Sequence, residues 1–277
     1  MCIRDRHGTS GGSSVKTLCH PDGSPKVTGG TTGAGATTAV AVSAGMTFAD
    51  GTAESKVTLA MAKILKDKLL AEGYDVLMIR ESDDVQLDNV ARTVIANNNA
   101  DCHIALHWDS TSTDKGAFYM SVPSNASYRA MEPVASHWQQ HNQLGECLVA
   151  GLRGAGVKIF SGGSMEMDLT QTSYSTIPSI DIELGDKASS HSDATLSIQA
   201  DGLVAVSYTH LLKEEDPLAV INGRMVPALD RVGKGFEKGT IFLPQLLMSA
   251  EAAREAFAVI KEHLSKDVYK RQRRVHP

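Results

Sequence analysis

The stretch Ile104-Ala105-Leu106-His107-Trp108-Asp109-Ser110 decides how the chain is read. Its apolar run is short and closes on an imidazole, the pattern of a buried strand that delivers His107 to the carboxyl end of a sheet. Open α/β folds place their chemistry at that end of the strands. His103 lies four residues earlier, so on a strand it shares a face with His107, whereas ligand pairs at that spacing belong to helices. His103 is therefore expected as a partly buried neighbour rather than a ligand. His107 taken alone reads more readily as a hydrogen-bonded core histidine than as a metal ligand.

Outward from this strand the chain alternates. Residues 54–72 carry Val57, Ala60, Met61, Ile64, Leu65 and Leu69 at helical spacing, with lysines at 63, 66 and 68 and Gly73 as a stop. Residues 74–79 read as a strand, 87–98 as a helix and 101–107 as a strand. That is a βαβ unit, which predicts a parallel pair with a right-handed crossover. Downstream, 116–122 reads as a strand, 131–154 as a long helical region interrupted early by Pro133, 157–160 as a short strand and 161–175 as a polar loop. A further strand over 177–184 runs into Ile182-Glu183-Leu184-Gly185. The alternation predicts an α/β fold with a mostly parallel sheet flanked by helices.

Two regions break this pattern. Residues 8–51, rich in Gly, Ser and Thr, read as a long loop with one short strand near 39–43. Loops of such length are uncommon in compact domains and often functional. The glycines do not form a phosphate cradle, because no Lys-Ser or Lys-Thr follows them. Beyond residue 211 the strand pattern stops. There 216–237 and 243–264 read as two helices around the turn Glu237-Lys238-Gly239-Thr240, a short all-α fragment with little core of its own.

Composition narrows the classes. A chain of 277 residues with 42% hydrophobic and 21% charged side chains is globular and holds one or two domains. A net charge of -5 argues against a nucleic-acid binder. The four cysteines, Cys2, Cys19, Cys102 and Cys147, form no CxxC pair, so neither a zinc module nor a disulfide framework is indicated, and Cys102 reads as a buried core thiol. No run approaches the roughly 20 apolar residues of a membrane span, so no membrane partner is expected. The N-terminus lacks a charged-then-apolar export signal.

The remaining polar candidates each have a plain structural reading. Glu54, opening the first helix, suits a metal ligand or a helix-dipole partner. Glu183 suits a proton-handling carboxylate or an ion pair with a lysine such as Lys187. His20, before the turn Pro21-Asp22-Gly23, suits a ligand or a surface loop. His137 and His141 have helical spacing without the glutamate of an HExxH site and read as a solvated polar face. Asp83-Asp84 reads as turn chemistry.

These contexts, in this order, resemble the zinc-dependent N-acetylmuramoyl-L-alanine amidases, bacterial cell-wall hydrolases of α/β fold. His7-Gly8-Thr9-Ser10-Gly11-Gly12 is similar to the family's first ligand segment. Ala53-Glu54-Ser55-Lys56-Val57-Thr58-Leu59 is similar to its glutamate-ligand helix. Arg80-Glu81-Ser82-Asp83, then Arg92 with Ala96-Asn97, His107 in its strand, and Glu183-Leu184-Gly185 follow in family order. Over residues 7–205 the resemblance implies zinc as cofactor, His7, Glu54 and His107 as metal ligands, with His20 as a competitor for the first place, and Glu183 as the catalytic residue. It implies peptidoglycan or a muropeptide as substrate, cleaved between the lactyl group of N-acetylmuramic acid and L-alanine, and a parent exported to the cell wall.

Three strings interrupt the pattern. Residues 1–6 (Met-Cys-Ile-Arg-Asp-Arg), Val206-Ser207-Tyr208-Thr209-His210-Leu211 and Asp267-Val268-Tyr269-Lys270-Arg271-Gln272 resemble the conceptual translation of a sequencing adapter, which implies a metagenomic chimera. The expected organisation is an adapter-like string at 1–6, an amidase-like domain at 7–205, a junction at 206–212, a helical fragment at 213–266 and an adapter-like tail at 267–277. On this reading the family's first strand is missing, His7 has lost its anchor, and a preserved two-ligand half-site is expected ahead of a working enzyme.

The helical fragment resembles the cap that precedes the cobalamin-binding domain of corrinoid proteins, through Ile221-Asn222-Gly223, Val226-Pro227-Ala228-Leu229-Asp230, Phe236-Glu237-Lys238-Gly239 and Phe242-Leu243-Pro244-Gln245-Leu246. The family's Asp-x-His-x-x-Gly segment has no counterpart, so cobalamin is not expected as a cofactor. The alternatives to an amidase are a corrinoid-binding methyl-transfer accessory protein and a non-catalytic wall-binding domain.

Overall fold

The computed structural model describes residues 1–5, 15–82, 85, 87–205, 221, 225–239, 242–243, 246, 250 and 253–254. The chain divides into a unit of residues 1–206 and one of residues 207–277.

The first unit is built on β1 (Cys2–Asp5), β4 (Leu77–Met78), β5 (His103–Asp109), β6 (Ala117–Ser121), β7 (Ile159–Glu166) and β8 (Ser179–Asp186), with a separate hairpin of β2 (Lys16–Leu18) and β3 (Thr38–Val40). The sheet order is β4-β1-β5-β8-β6-β7. All neighbours are parallel except β6 and β8, which run antiparallel. This is the mostly parallel α/β sheet expected from the alternation.

Period 2 divides the two central strands between faces. On β5, Ile104, Leu106 and Trp108 turn to one side, joined by Ile180, Ile182 and Leu184 of β8 in a single apolar core. That side is covered by α1 (Glu54–Ala71), α4 (Val134–Gly154) and α6 (Asp193–Val204). The four-residue spacing of Val57, Met61, Leu65 and Leu69 gives α1 its buried stripe. Gly73, at φ 86°, stops the helix, and Tyr74 N–H donates to the Leu69 carbonyl at 3.0 Å. On the other side lie His103, His107, Ser179, Asp181 and Glu183, all buried. There α2 (Asn89–Asn99), capped by the Asp88 carboxylate, packs with α5 (Thr170–Tyr174).

Several expectations are corrected. The slot for a first strand, expected to be empty, is filled by β1, whose residues pair with β4 and with β5 from Cys2↔His103 to Asp5↔Leu106. A strand of this kind needs only extended backbone to satisfy both edges, which is why side-chain patterning did not reveal it. The strands of the βαβ unit, β4 and β5, are accordingly parallel but separated by β1. The long loop contains two short strands, β2 and β3, rather than one. The polar loop over 161–175 is instead the second half of β7 followed by α5, since β7 turns alternate residues to solvent. Ahead of α4 a separate short helix, α3 (Ala126–Ala130), precedes Pro133. No element was read over 186–205, where α6 forms behind its Ser192 cap.

In the second unit the described helix is α7 (Val226–Glu237), with Pro227 in its first turn and Gly239 at φ 70° just beyond its end. The remaining helix expectations over 216–225 and 243–264 lie largely outside the described residues, as do Asp83-Asp84 and the strings at 206–212 and 267–277.

Gly145 lets α4 lie flat on the sheet, because a Cβ there would meet the Tyr119 ring at 2.2 Å. Replacing Gly145 with Ala should gain about 1 kcal/mol of helix propensity and lose more to overpacking, which typically costs about 1–3 kcal/mol. Urea unfolding of Gly145→Ala is expected to show a net loss of stability.

Candidate active site

β5 and β8 carry the chemistry because they are paired in register, His103↔Ser179, Ala105↔Asp181 and His107↔Glu183. Adjacent strands lie about 4.8 Å apart, so partners on one face are close neighbours. Glu183 thus stands beside His107 on the polar side, 8% exposed, with Phe118 of β6 as its antiparallel partner. Lys115 flanks this wall, ion-paired with Asp109 and 4.7 Å and 4.9 Å from the Phe118 and Phe160 ring centroids.

Glu54, the first residue of α1, reaches the same place. Its Oε1 lies 3.2 Å from His107 Nδ1 and accepts the Trp108 N–H at 3.0 Å, while Oε2 accepts the Met46 N–H at 2.8 Å. The carboxylate is therefore fixed by two backbone amides with one oxygen turned to the imidazole. At zinc-ligand bond lengths, two ligands of a tetrahedral ion stand about 3.3 Å apart. The pair of Glu54 Oε1 and His107 Nδ1 fits one edge of such a site in spacing and in donor type. Among the described residues no three His, Cys, Asp or Glu side chains converge as a metal group. The third ligand expected from sequence, His7, lies outside the described residues.

His20, the competing candidate, is corrected from a surface-loop residue to a buried one. Both its ring nitrogens are engaged, Nδ1 with Ser24 Oγ at 2.9 Å and Nε2 with Asp168 Oδ2 at 3.1 Å, and its ring packs on Tyr128. Asp168 also accepts the N–H groups of Val27 and Thr28 and the Thr28 hydroxyl, and pairs with Lys26 Nζ at 3.0 Å. Burial pushes the Asp168 carboxyl up, but the hydrogen bonds from His20, Thr28 and Val27 and the Lys26 charge together hold it well below the usual carboxylate range. This cluster clasps the 20–28 segment to the end of β7.

Two further polar residues behind the site were read differently from sequence. His141 is fully buried, not part of a solvated face, and its Nδ1 accepts the Ser179 N–H at 3.0 Å. Burial, with a smaller effect from His137, lowers its pKa from the ordinary 6.5 to about 3. His103, also fully buried, meets Ser179 Oγ at 3.2 Å, and Gln171 donates to the same hydroxyl and to the Ile180 carbonyl. Sequence reasoning missed Asp181, whose Oδ2 is 3.6 Å from His107 Nε2. The alternation Ser179-Ile180-Asp181-Ile182-Glu183-Leu184 could have found it, since alternate polar residues in a strand buried on both faces must share one face.

With this geometry in place, comparison with known proteins is decisive. Residues 28–201 match the family described as N-acetylmuramoyl-L-alanine amidase. The chain belongs to that family. Residues 191–261 are similar to a family described as B12 binding domain. No curated protein matches the chain. The amidase fold is shared with the apo N-acetylmuramyl-L-alanine amidase Ami1 of Mycobacterium abscessus, at 21% identity and TM-score 0.57, over 76% of this chain and 97% of that one. Ami1 of Mycobacterium smegmatis is similar at 18% identity and TM-score 0.57, over 77% and 97%. The N-acetylmuramoyl-L-alanine amidase of Clostridium difficile 630 is similar at 19% identity and TM-score 0.51, over 62% and 91%. At these identities the likeness is one of fold.

The buried polar groups set how the amidase unit responds to acid and to truncation. An unfolded His141 titrates near 6.5 and the folded one near 3, so the unfolded chain binds the extra proton between those values. Stability is then full above pH 6.5 and falls as the pH drops toward 3, a slope that His141→Gln should reduce in pH-dependent denaturant melts. Asp168→Ala, which leaves Lys26 buried without this carboxylate, is expected to cost about 3–5 kcal/mol in the same assay.

Proposed function

We propose that residues 7–205 form a zinc-dependent amidase that hydrolyses the bond between the lactyl group of N-acetylmuramic acid and L-alanine in peptidoglycan. One observation carries this reading: the β5–β8 register sets Glu183 beside His107 while Glu54 Oε1 approaches His107 Nδ1 at 3.2 Å. His7, Glu54 and His107 are the proposed metal ligands. His7 follows β1 by two residues, and the last β1 residue, Asp5, pairs with Leu106 next to His107, which supports His7 as the third.

Zinc, when bound, supplies Lewis-acid polarisation of the scissile carbonyl and a water of lowered pKa. Glu54 and His107 hold their donor atoms at ligand spacing. Glu183 takes a proton from the attacking water on its carboxylate and delivers it to the nitrogen of the departing L-alanine, the two halves of general base and acid catalysis. The parent enzyme acts at the cell wall, outside the cytoplasm.

The chain is further proposed to join two parents, with the adapter-like strings at 206–212 and 267–277 as scars and a corrinoid-cap fragment at 213–266, while the adapter-like string at 1–6 takes the place of a first strand as β1. The division of the chain at 206–207 and the B12-domain similarity over 191–261 support this. With no Asp-x-His-x-x-Gly segment, that fragment is not proposed to hold cobalamin. Nor is β1 an obstacle to activity, since its pairing supports an intact sheet beneath the site.

Purified protein should carry one equivalent of zinc, lost in Glu54→Ala and in His107→Ala. Glu183→Gln should retain the zinc and lower muropeptide hydrolysis by about 10²–10⁴-fold. A folded wild type without zinc affinity would refute the proposal.

A further inference from the structure

The polar side of the sheet carries a cation that the proposed chemistry does not use. β5 keeps its alternation from His107 to Asp109, because the extra residue in its pairing with β8 lies on β8, where three steps from Glu183 to Asp186 match two on β5. Asp109 therefore follows His107 on the same face, and Phe118, the register partner of Glu183, shares the face of that carboxylate. Lys115 Nζ joins the two: it pairs with Asp109 Oδ2 and stands 4.7 Å from the Phe118 ring centroid and 4.9 Å from that of Phe160.

This lysine is held at both ends. Its backbone N–H donates to Asp186 Oδ2 at 2.7 Å, and the next residue, Gly116 at φ 104°, lies so close to the Lys158 carbonyl that a Cβ would meet its oxygen at 2.7 Å. The rings and Asp109 restrain the ammonium, so much of the rotamer entropy that a free lysine loses on binding is already lost. An ammonium has three N–H donors, more than one carboxylate oxygen uses, and the Lys115 side chain is 16% exposed, so a ligand can reach it.

Glu54, Asp109 and Glu183 place carboxylates around the site, which repel an acidic ligand, and a cation fixed among them sets where a negative group can sit. In the proposed reaction the bond broken precedes L-alanine, and a glutamate after that alanine carries its carboxylate about 7 Å further along an extended chain. Phe118 stands one strand spacing, about 4.8 Å, from Glu183. With Glu183 at the scissile nitrogen, the ammonium beside that ring is within reach of such a carboxylate. We propose that Lys115 is a specificity-determining residue that binds the carboxylate of an acidic residue following L-alanine in the stem peptide. The inference rests on the zinc-amidase reading for its substrate class.

The test uses the full chain carrying Glu183→Gln, which slows turnover, and two muropeptides: N-acetylmuramoyl-L-alanyl-D-glutamate and the same compound with both glutamyl carboxyls amidated. Calorimetric titration should show the acid binding about 10-fold more tightly than the diamide, as a part-exposed charge-assisted hydrogen bond provides. The preference should shrink as salt is raised. Adding Lys115→Met, which keeps an aliphatic stem on the rings, should bring the ratio close to one, and Lys115→Arg should keep most of it. The Met variant also separates this contact from a carboxylate bound at the metal. In hydrolysis by the wild type, the same preference should fall on KM rather than kcat. Equal affinity for the two muropeptides, binding of neither, or a preference that persists in a Lys115→Met chain shown to be folded by circular dichroism overturns the proposal; the first two need no Lys115 variant. Hydrolysis without acid preference leaves the amidase reading standing and removes this one, whereas a Lys115-dependent preference without hydrolysis does the reverse.

Discussion

The pairing of β5 with β8 is the constraint on which the rest depends. Five consecutive register positions, from His103↔Ser179 to His107↔Glu183, fix two buried strands so that every second side chain falls on the same face. A slip of one residue would send Ile104, Leu106, Ile180 and Ile182 to the polar side and the histidines and carboxylates into the apolar core. The hydrophobic effect on one face thus enforces the geometry of the chemistry on the other. The irregularity after His107, where Asp109 pairs with Asp186, comes at the strand end, where the site opens.

The two faces are completed by different physics. Behind the sheet, α1, α4 and α6 bury a continuous set of Leu, Ile, Val and Met side chains, and glycines at 145 and 202 permit close approach: a Cβ at Gly202 would lie 2.8 Å from the Leu152 Cα. In front, the interior is polar, with Gln171 and His103 both meeting the Ser179 hydroxyl, while His141 of α4 accepts the Ser179 N–H. His141 must be neutral for its Nδ1 to accept that N–H, and burial keeps it so. The Asp168 cluster extends the same principle to the loop, adding to the packing of Val27 a buried carboxylate that gathers His20, Lys26, Val27 and Thr28.

Much of this was legible from one strand. The apolar run into His107, the stripe of α1 and the Ile182-Glu183-Leu184-Gly185 segment each carry a periodic signal strong enough to place an element and its candidate residue. The signals failed where backbone pairing or loop contacts did the work. β1 was missed because a strand inserted between two others is held by main-chain hydrogen bonds, whatever its side chains. The second half of β7 is hidden because Ser161-Gly162-Gly163-Ser164 looks like a turn until Tyr119 is found paired with Ser164, and Met120 and Ser121 with Met165 and Glu166. His20 and His141 were misread because polarity was taken for exposure, while both are buried against partners far away in sequence.

By itself the sequence determined the fold class, the alternation of elements and the residue types brought to the carboxyl ends of β5 and β8, because periodic burial is written locally. Only the tertiary structure decided which carboxylate meets which nitrogen of His107. Glu54, His107 and Asp181 are separated by 53 and 74 residues along the chain, and their meeting depends on helix placement and strand register rather than on any local pattern. Spacing in sequence constrains a side chain's face; distance across a site is set by how the elements pack.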